Sequence, residues 1–305
     1  MAEFAVLLMA YGGPSTLADV EPYLLDVRGG RPTSPELVAE IRHRYELIGG
    51  RSPILPITQA QGAALAGEIG VPVYIGMRHW HPYVVDTVKQ IVADHYRRLV
   101  AIVMAPHYSG MSVGAYEKTL LKASGGGGAG RLEIALVRSW GDHPLFLGVV
   151  AAHLTQALRR FPDASGVDVV FTAHSLPRRI LAAGDPYPDQ LRASAAAVAG
   201  KLGLASWELA YQSAGATSGP WLGPDAGEVL ARLAGEGHRD FVIAPIGFVC
   251  DHVEILYDVD VAYQELARKL GVRLERMRSL NDDPMLIACL ANLVRTAAAG
   301  RGWMD

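Results

Sequence analysis

Three stretches of the chain carry side chains suited to proton or metal chemistry. His174 directly follows the apolar run Val169-Val170-Phe171-Thr172-Ala173. Neutral imidazole takes a proton or binds a metal near pH 7, so a histidine at the end of a buried strand is placed for either role. A hydrogen-bonded core histidine has the same signature. Asp251-His252-Val253-Glu254-Ile255-Leu256-Tyr257-Asp258 reads as the opening of a helix. Glu254 and Asp258 are four apart, which puts both carboxylates on one face. Like charges at that spacing repel unless a cation or a shared proton lies between them. Acids near a helix N-terminus also suit the macrodipole, which covers Asp251 well and Asp258 poorly. His79 and His81 flank Trp80; in an extended strand both imidazoles point the same way and can chelate a metal. Pro82 equally suits a plain helix start after His81.

The basic residues matter for their setting. Arg28 lies in Val27-Arg28-Gly29-Gly30-Arg31, and Arg44-Tyr45 precedes Gly49-Gly50-Arg51-Ser52-Pro53. Arginine forks and a serine hydroxyl suit carboxylates and point to an acidic substrate. Ordinary surface arginine is the plain alternative. Two motif matches fail on context. Gly110-Met111-Ser112-Val113-Gly114 spells the hydrolase elbow, but no strand leads straight into it. The glycine run after Ser124 precedes a strand, not a helix, so it is no phosphate cradle. His43, His95 and His153 fall on helical stretches and read as surface or packing residues.

Short apolar runs at 4–10, 71–76, 99–105, 132–137, 167–173, 208–212 and 241–245 read as strands. Several lack polar alternation, as strands buried on both faces do. Amphipathic stretches long enough for helices separate them. Ser34-Pro35-Glu36 reads as an N-cap, first-turn proline and first-turn acid, with Gly49-Gly50 as the stop. Further helices are expected over 82–92, 144–158 and 189–202. This alternation predicts parallel sheets covered by helices. A short repeat reinforces it. Ala10-Tyr11-Gly12-Gly13-Pro14 matches Ala173-His174-Ser175-Leu176-Pro177, and Met104-Ala105-Pro106 matches Ile243-Ala244-Pro245 in the same order. Two similar α/β halves are expected, over 1–130 and 131–305. Ligands bind at the carboxyl ends of parallel strands. Tyr11, the segment 107–116, His174 and the segment 251–254 are therefore expected to face one central cleft.

Composition sets the limits. In 305 residues, 50% are hydrophobic, 19% are charged and the net charge is −3, so the chain folds and lacks the basic balance of a nucleic-acid binder. No apolar run reaches the roughly 18–20 residues that span a bilayer. The first residues lack the basic start of a secretion signal. The 2 cysteines, Cys250 and Cys289, make neither a disulfide framework nor a four-ligand metal site, and fit a reducing cytoplasm.

A resemblance now gathers these residues. Leu8-Met9-Ala10-Tyr11-Gly12-Gly13-Pro14, Arg44-Tyr45-Glu46-Leu47-Ile48-Gly49-Gly50-Arg51-Ser52-Pro53 and Gly76-Met77-Arg78-His79 resemble the ferrochelatase family. So do Ala105-Pro106-His107-Tyr108-Ser109, Phe171-Thr172-Ala173-His174-Ser175-Leu176-Pro177, Gly184-Asp185-Pro186-Tyr187-Pro188 and Tyr211-Gln212-Ser213. Pro245-Ile246-Gly247-Phe248-Val249-Cys250-Asp251-His252-Val253-Glu254 is the most telling block. The matches run in order over most of the chain.

The resemblance implies two Rossmann-like halves around a cleft, and insertion of Fe²⁺ into a porphyrin, a lyase reaction of haem biosynthesis. It makes His174 and Glu254 the catalytic, metal-contacting pair on one side of the macrocycle. Tyr11 takes the other side as axial ligand of the product iron. Arg28, Arg44, Tyr45, Ser52 and Tyr116 hold the propionates and ring edge. Tyr11 and the lack of an apolar lip resemble the soluble coproporphyrin III type, whose four propionates fit the arginines. Iron is then a substrate, and no resident cofactor is expected. The C-terminal cysteines of the iron–sulfur relatives are missing, so no cluster is expected. Ala262 stands where some relatives carry an acid, and Arg78 where some carry lysine. A cytoplasmic monomer without nucleic-acid or stable membrane partners is expected. The rival readings are a protoporphyrin IX ferrochelatase, a cobalt or nickel chelatase of another tetrapyrrole, and a non-catalytic porphyrin carrier.

Overall fold

The computed structural model describes residues 4–125, 132–215 and 219–304. Most of the glycine run after Ser124 lies outside these residues. In order, the first strands and helices are β1 (Ala5–Ala10), α1 (Val20–Val27), α2 (Pro35–Leu47), α3 (Ile54–Ile69), β2 (Val73–Met77), α4 (Val84–Ala93), β3 (Arg98–Val103), α5 (Val113–Ala123) and β4 (Glu133–Val137). Then come α6 (Pro144–Leu158), β5 (Asp168–His174), α7 (Arg179–Ala182), α8 (Tyr187–Leu202), β6 (Trp207–Gln212), α9 (Ala226–Gly235) and β7 (Asp240–Ala244). The chain finishes with α10 (Val253–Leu256), a π-helical turn at Asp258–Tyr263, α11 (Gln264–Leu270), β8 (Arg273–Arg276) and α12 (Pro284–Ala299).

Two compact units result. Each holds a four-stranded parallel sheet, ordered β2-β1-β3-β4 in the first and β6-β5-β7-β8 in the second. The two orders are the same, and the repeated segments fall at equivalent places. Tyr11 comes one residue after β1, and His174 is the last residue of β5. This is the expected pair of Rossmann-like halves. The expected boundary at 130 needs correction. β4 pairs with β3, which carries the first unit to Trp140, and α12 packs on α3, which returns the chain from Asn281 onward to the first unit. Pro106–Tyr108 goes the other way, into the second unit.

Local sequence explains the elements. The β1 strand Ala5–Ala10 is buried along its whole length, and so is β3 beyond Arg98, as strands covered on both faces must be. Ser34 accepts the Leu37 amide at 3.3 Å and caps α2, with Pro35 in the first turn. Gly50 closes that helix in a left-handed conformation, its amide bonded to the Tyr45 carbonyl at 2.7 Å. Helix α4 starts two residues later than the expected 82, and His95 lies beyond its end with φ 67°. The fourth strand of the second sheet was not expected. Three of the four residues of β8 are charged, so it has no apolar run to read.

Candidate active site

His174 is carried to its place by β5, a strand buried from Asp168 to Ala173. Its Nδ1 donates to the Ser175 carbonyl. That bond fixes the tautomer and leaves the Nε2 lone pair free for a proton or a metal. Tyr187, at the start of α8, donates to the His174 carbonyl at 3.0 Å and holds the strand end from behind.

The loop after β7 brings Glu254 over this strand end. Gly247 allows the approach: a Cβ there would stand 2.5 Å from the Ala173 Cβ, and its amide bonds the Thr172 carbonyl at 3.1 Å. Beyond the loop, Ile255 and Val259 are fully buried against Val229, Leu230 and Leu233 of α9 and Phe241 of β7. Burying two such side chains contributes roughly 1.5–3 kcal/mol each and anchors the helical stretch that carries Glu254. Gln212, at the end of β6, donates to the Glu254 carbonyl at 2.6 Å.

The result is a close His–Glu pair. His174 Nε2 stands 3.5 Å from Glu254 Oε1, and His252 Nε2 stands 3.7 Å from Oε2. His252 Nδ1 donates to the Cys250 carbonyl at 3.0 Å, which aims its other nitrogen at the glutamate. Two ligand bonds of about 2.1 Å at a tetrahedral angle span about 3.4 Å, so His174 and Glu254 can grip one divalent ion without moving far. Among the described residues, no set of three or more His, Cys, Asp or Glu side chains is arranged to hold a metal.

The electrostatics follow from this packing. Burial pushes the His174 imidazole down, but the Glu254 charge, the Ser175 carbonyl and Asp258 together outweigh it, and the group is raised above 6.5. Burial opposes the Glu254 charge, yet His174 and His252 hold its carboxyl well below the usual carboxylate range. The two groups therefore favour each other's charged forms, the imidazole gaining proton affinity and the carboxyl losing it.

Glu254 and Asp258 do not share one regular helical face. The α-helix ends at Leu256, and at Asp258–Tyr263 the chain takes a π turn, in which the Tyr257 carbonyl accepts from Val261 at 3.0 Å and Ala262 at 2.9 Å. The regular α-helix therefore carries Glu254 but stops short of Asp258. Asp258 instead accepts the hydroxyl of Ser213, whose φ is 60°.

The other expected residues belong to the first unit. Tyr11 is 40% exposed, and its ring lies 4.7 Å from that of His79. His79 Nδ1 donates to Asp26 at 2.8 Å. Burial pushes the His79 imidazole down, beyond what Asp26 restores. Asp26 carries no signal of its own in the sequence, being one acid within the amphipathic helix α1. His81 packs its ring on Trp80 and Tyr83 instead, so the two histidines have separate surroundings and do not form a chelating pair. Arg78 sits over the buried Tyr116 ring at 5.4 Å and donates to the Met111 carbonyl at 3.4 Å.

Arg28 is half-buried, and its Nε lies out of water with no partner among the described residues. Arg44 is paired along α2 with Glu40. Tyr45 and Ser52 are buried, with both hydroxyls beside Gly13, in the turn that follows Tyr11. Within the second unit, His107 is also buried, 2.9 Å from Ser194 Oγ, and burial pushes its imidazole down to about 3. His153 packs between Arg278 contacts at 3.0 Å, as a packing histidine does.

Comparison with known proteins gives the family. The sequence model of the Ferrochelatase family matches residues 3–298. A ferrochelatase of Herpetosiphon aurantiacus is 43% identical over 301 residues, covering 96% of this chain and 98% of that one. A coproporphyrin III ferrochelatase of Geobacillus thermodenitrificans is 37% identical, covering 97% of this chain and 96% of that one. Among solved structures, SirB from Bacillus subtilis with Fe³⁺ aligns at TM-score 0.65 over 98% of this chain and 97% of its own, at 13% identity, which is a likeness of fold. No helix among the described residues is long and apolar enough to cross a membrane. With the family matched along nearly the whole sequence and the His–Glu pair at the strand ends, the chain belongs to the ferrochelatase family.

Proposed function

We propose that this chain inserts Fe²⁺ into coproporphyrin III to give coprohaem. The observation that carries the reading is the His174–Glu254 pair, 3.5 Å apart at the carboxyl ends of β5 and β7. Insertion exchanges two pyrrole N–H protons for one dication, so a base must draw both protons from the ring centre. Neutral His174 takes a pyrrole proton on Nε2 and becomes imidazolium. Glu254 stays ionised beside it, stabilises that charge and replaces water on the arriving iron. His174 is 34% exposed, so its proton passes to solvent before the second is taken. On this reading Tyr11 serves the opposite face of the macrocycle as axial ligand of the product iron.

Coproporphyrin III is favoured by its charge. Its four propionates need cationic partners, and Arg28 offers a buried N–H without one. Arg44 already gives one nitrogen, Nη2, to Glu40, so Arg28 carries more of the recognition than Arg44. Tyr45, Ser52 and Tyr116 support the ring edge from buried positions. Relatives named coproporphyrin III ferrochelatase stand at 36% and 37% identity. Iron enters as substrate and no resident cofactor is part of the reading. Both cysteines are buried, and burial pushes the Cys250 thiol up to about 12, away from thiolate chemistry. The reading takes the protein as a monomer in the cytoplasm.

Anaerobic Fe²⁺ insertion, followed by absorbance with coproporphyrin III and protoporphyrin IX in parallel, tests this. Faster turnover of coproporphyrin III is expected. Preference for protoporphyrin IX would overturn the choice of porphyrin. Binding of both without insertion would overturn the chelatase reading in favour of a carrier.

A further inference from the structure

The π turn after Glu254 needs something to hold it, because a helix gains nothing by itself from the extra residue. The second unit supplies a guanidinium. Arg276, the last residue of β8, forks onto Asp260 within the turn, Nε to Oδ1 at 2.6 Å and Nη2 to Oδ2 at 2.9 Å. Its Nη1 reaches Asp251 Oδ1 at 3.3 Å and Ser279 Oγ at 3.2 Å. Ser279 in turn donates to Asp251 at 2.6 Å. The Arg276 side chain is 17% exposed, so these contacts are only partly screened by water.

Asp251 lies three residues before Glu254, and Asp260 lies six after it. One planar cation therefore ties both flanks of the Glu254 segment to the end of the sheet. We propose that Arg276 is a positioning residue for metal insertion, which fixes the Glu254 carboxylate relative to His174 through Asp251 and Asp260. The inference rests on the chelatase reading above. A guanidinium suits the task because its fork meets one carboxylate bidentately and keeps a third N–H for the other. An ammonium at the same place has the charge without the fork.

The test compares wild type with Arg276→Met and Arg276→Lys in three measurements: kcat for Fe²⁺ insertion, porphyrin affinity by fluorescence quenching, and melting temperature. Arg232→Met is the control, since Arg232 pairs with Glu208 and Glu236 on the edge of the same unit. Residues that orient metal ligands typically cost about 10- to 100-fold in activity when replaced. We expect a kcat loss of that size in Arg276→Met, a smaller one in Arg276→Lys, and porphyrin affinity unchanged in both. Arg232→Met should keep full kcat. If Arg276→Met fails to fold, Arg276→Lys decides by the same split of kcat from affinity. Wild-type kcat in the Arg276 variants overturns the inference alone. So does a parallel loss of affinity, kcat and melting temperature, which describes a strut. A wild type that binds porphyrin without inserting iron overturns the chelatase reading, and this inference with it.

Discussion

His174 Nε2 and Glu254 Oε1 stand 3.5 Å apart, and each shifts the proton affinity of the other. A base works only when neutral, and the raised affinity of His174 keeps it protonated to higher pH. Iron insertion should therefore rise with pH through a midpoint above the ordinary imidazole value of 6.5. In Glu254→Gln the opposing carboxylate charge is gone and burial prevails. The rate falls, and the acid limb moves to lower pH. Initial rates of kcat/KM against pH check both directions; an unmoved limb would count against the coupling.

His174→Ala should lose insertion while still binding porphyrin. A positioned general base contributes about 10²–10⁴-fold, and the loss should fall in that range. Stopped-flow absorbance measures insertion, and fluorescence quenching measures binding. Retained turnover would remove His174 from its role.

Arg28→Met should weaken coproporphyrin III binding more than protoporphyrin IX binding. A hydrogen bond to a charged group contributes about 1.5–3 kcal/mol, so KM for coproporphyrin III should rise roughly tenfold or more. Arg44→Met should do less, because Glu40 already holds the Nη2 of that guanidinium. Equal effects of the two substitutions on both porphyrins would contradict this division of labour.

Gly247→Ala tests the close approach of the loop to β5. The added methyl meets the Ala173 Cβ at 2.5 Å, so the loop must shift. Overpacking of this kind typically costs about 1–3 kcal/mol, read as a lower denaturation midpoint. Insertion should slow as well, since the same loop leads into Glu254. An unchanged midpoint would mean that the backbone yields freely there.

The sequence made the sheets and the position of His174 legible for a common reason. Strands covered on both faces have to be continuous apolar runs, and His174 interrupts such a run at its carboxyl end. Glu254 was legible as an acid beside a strand end, but its neighbourhood was not. The four-residue spacing to Asp258 reads as one helical face, while the α-helix ends at Leu256 and a π turn follows, tied in part by contacts remote in sequence such as Arg276 with Asp260. β8 escaped because an edge strand needs no apolar run. Asp26 and Tyr187 escaped because pairing with His79 and with the His174 carbonyl is a matter of tertiary proximity. The boundary at 130 failed because a glycine run marks a loose connection, whereas domain membership follows strand pairing.

α12 is the last wall of the first unit. It packs on α3, β3 and β4, and its Leu286, Leu290 and Val294 are fully buried. Yet the whole of Gly141–Leu280 is translated before it. Domains commonly fold in the order in which they leave the ribosome. Here the first unit to begin is the last to be completed, because its apolar flank stays bare until Pro284–Ala299 emerges. A ribosome stalled just short of that helix would display a finished second unit and a sticky, unfinished first one. Nascent chains of that length should be the ones that chaperones hold longest.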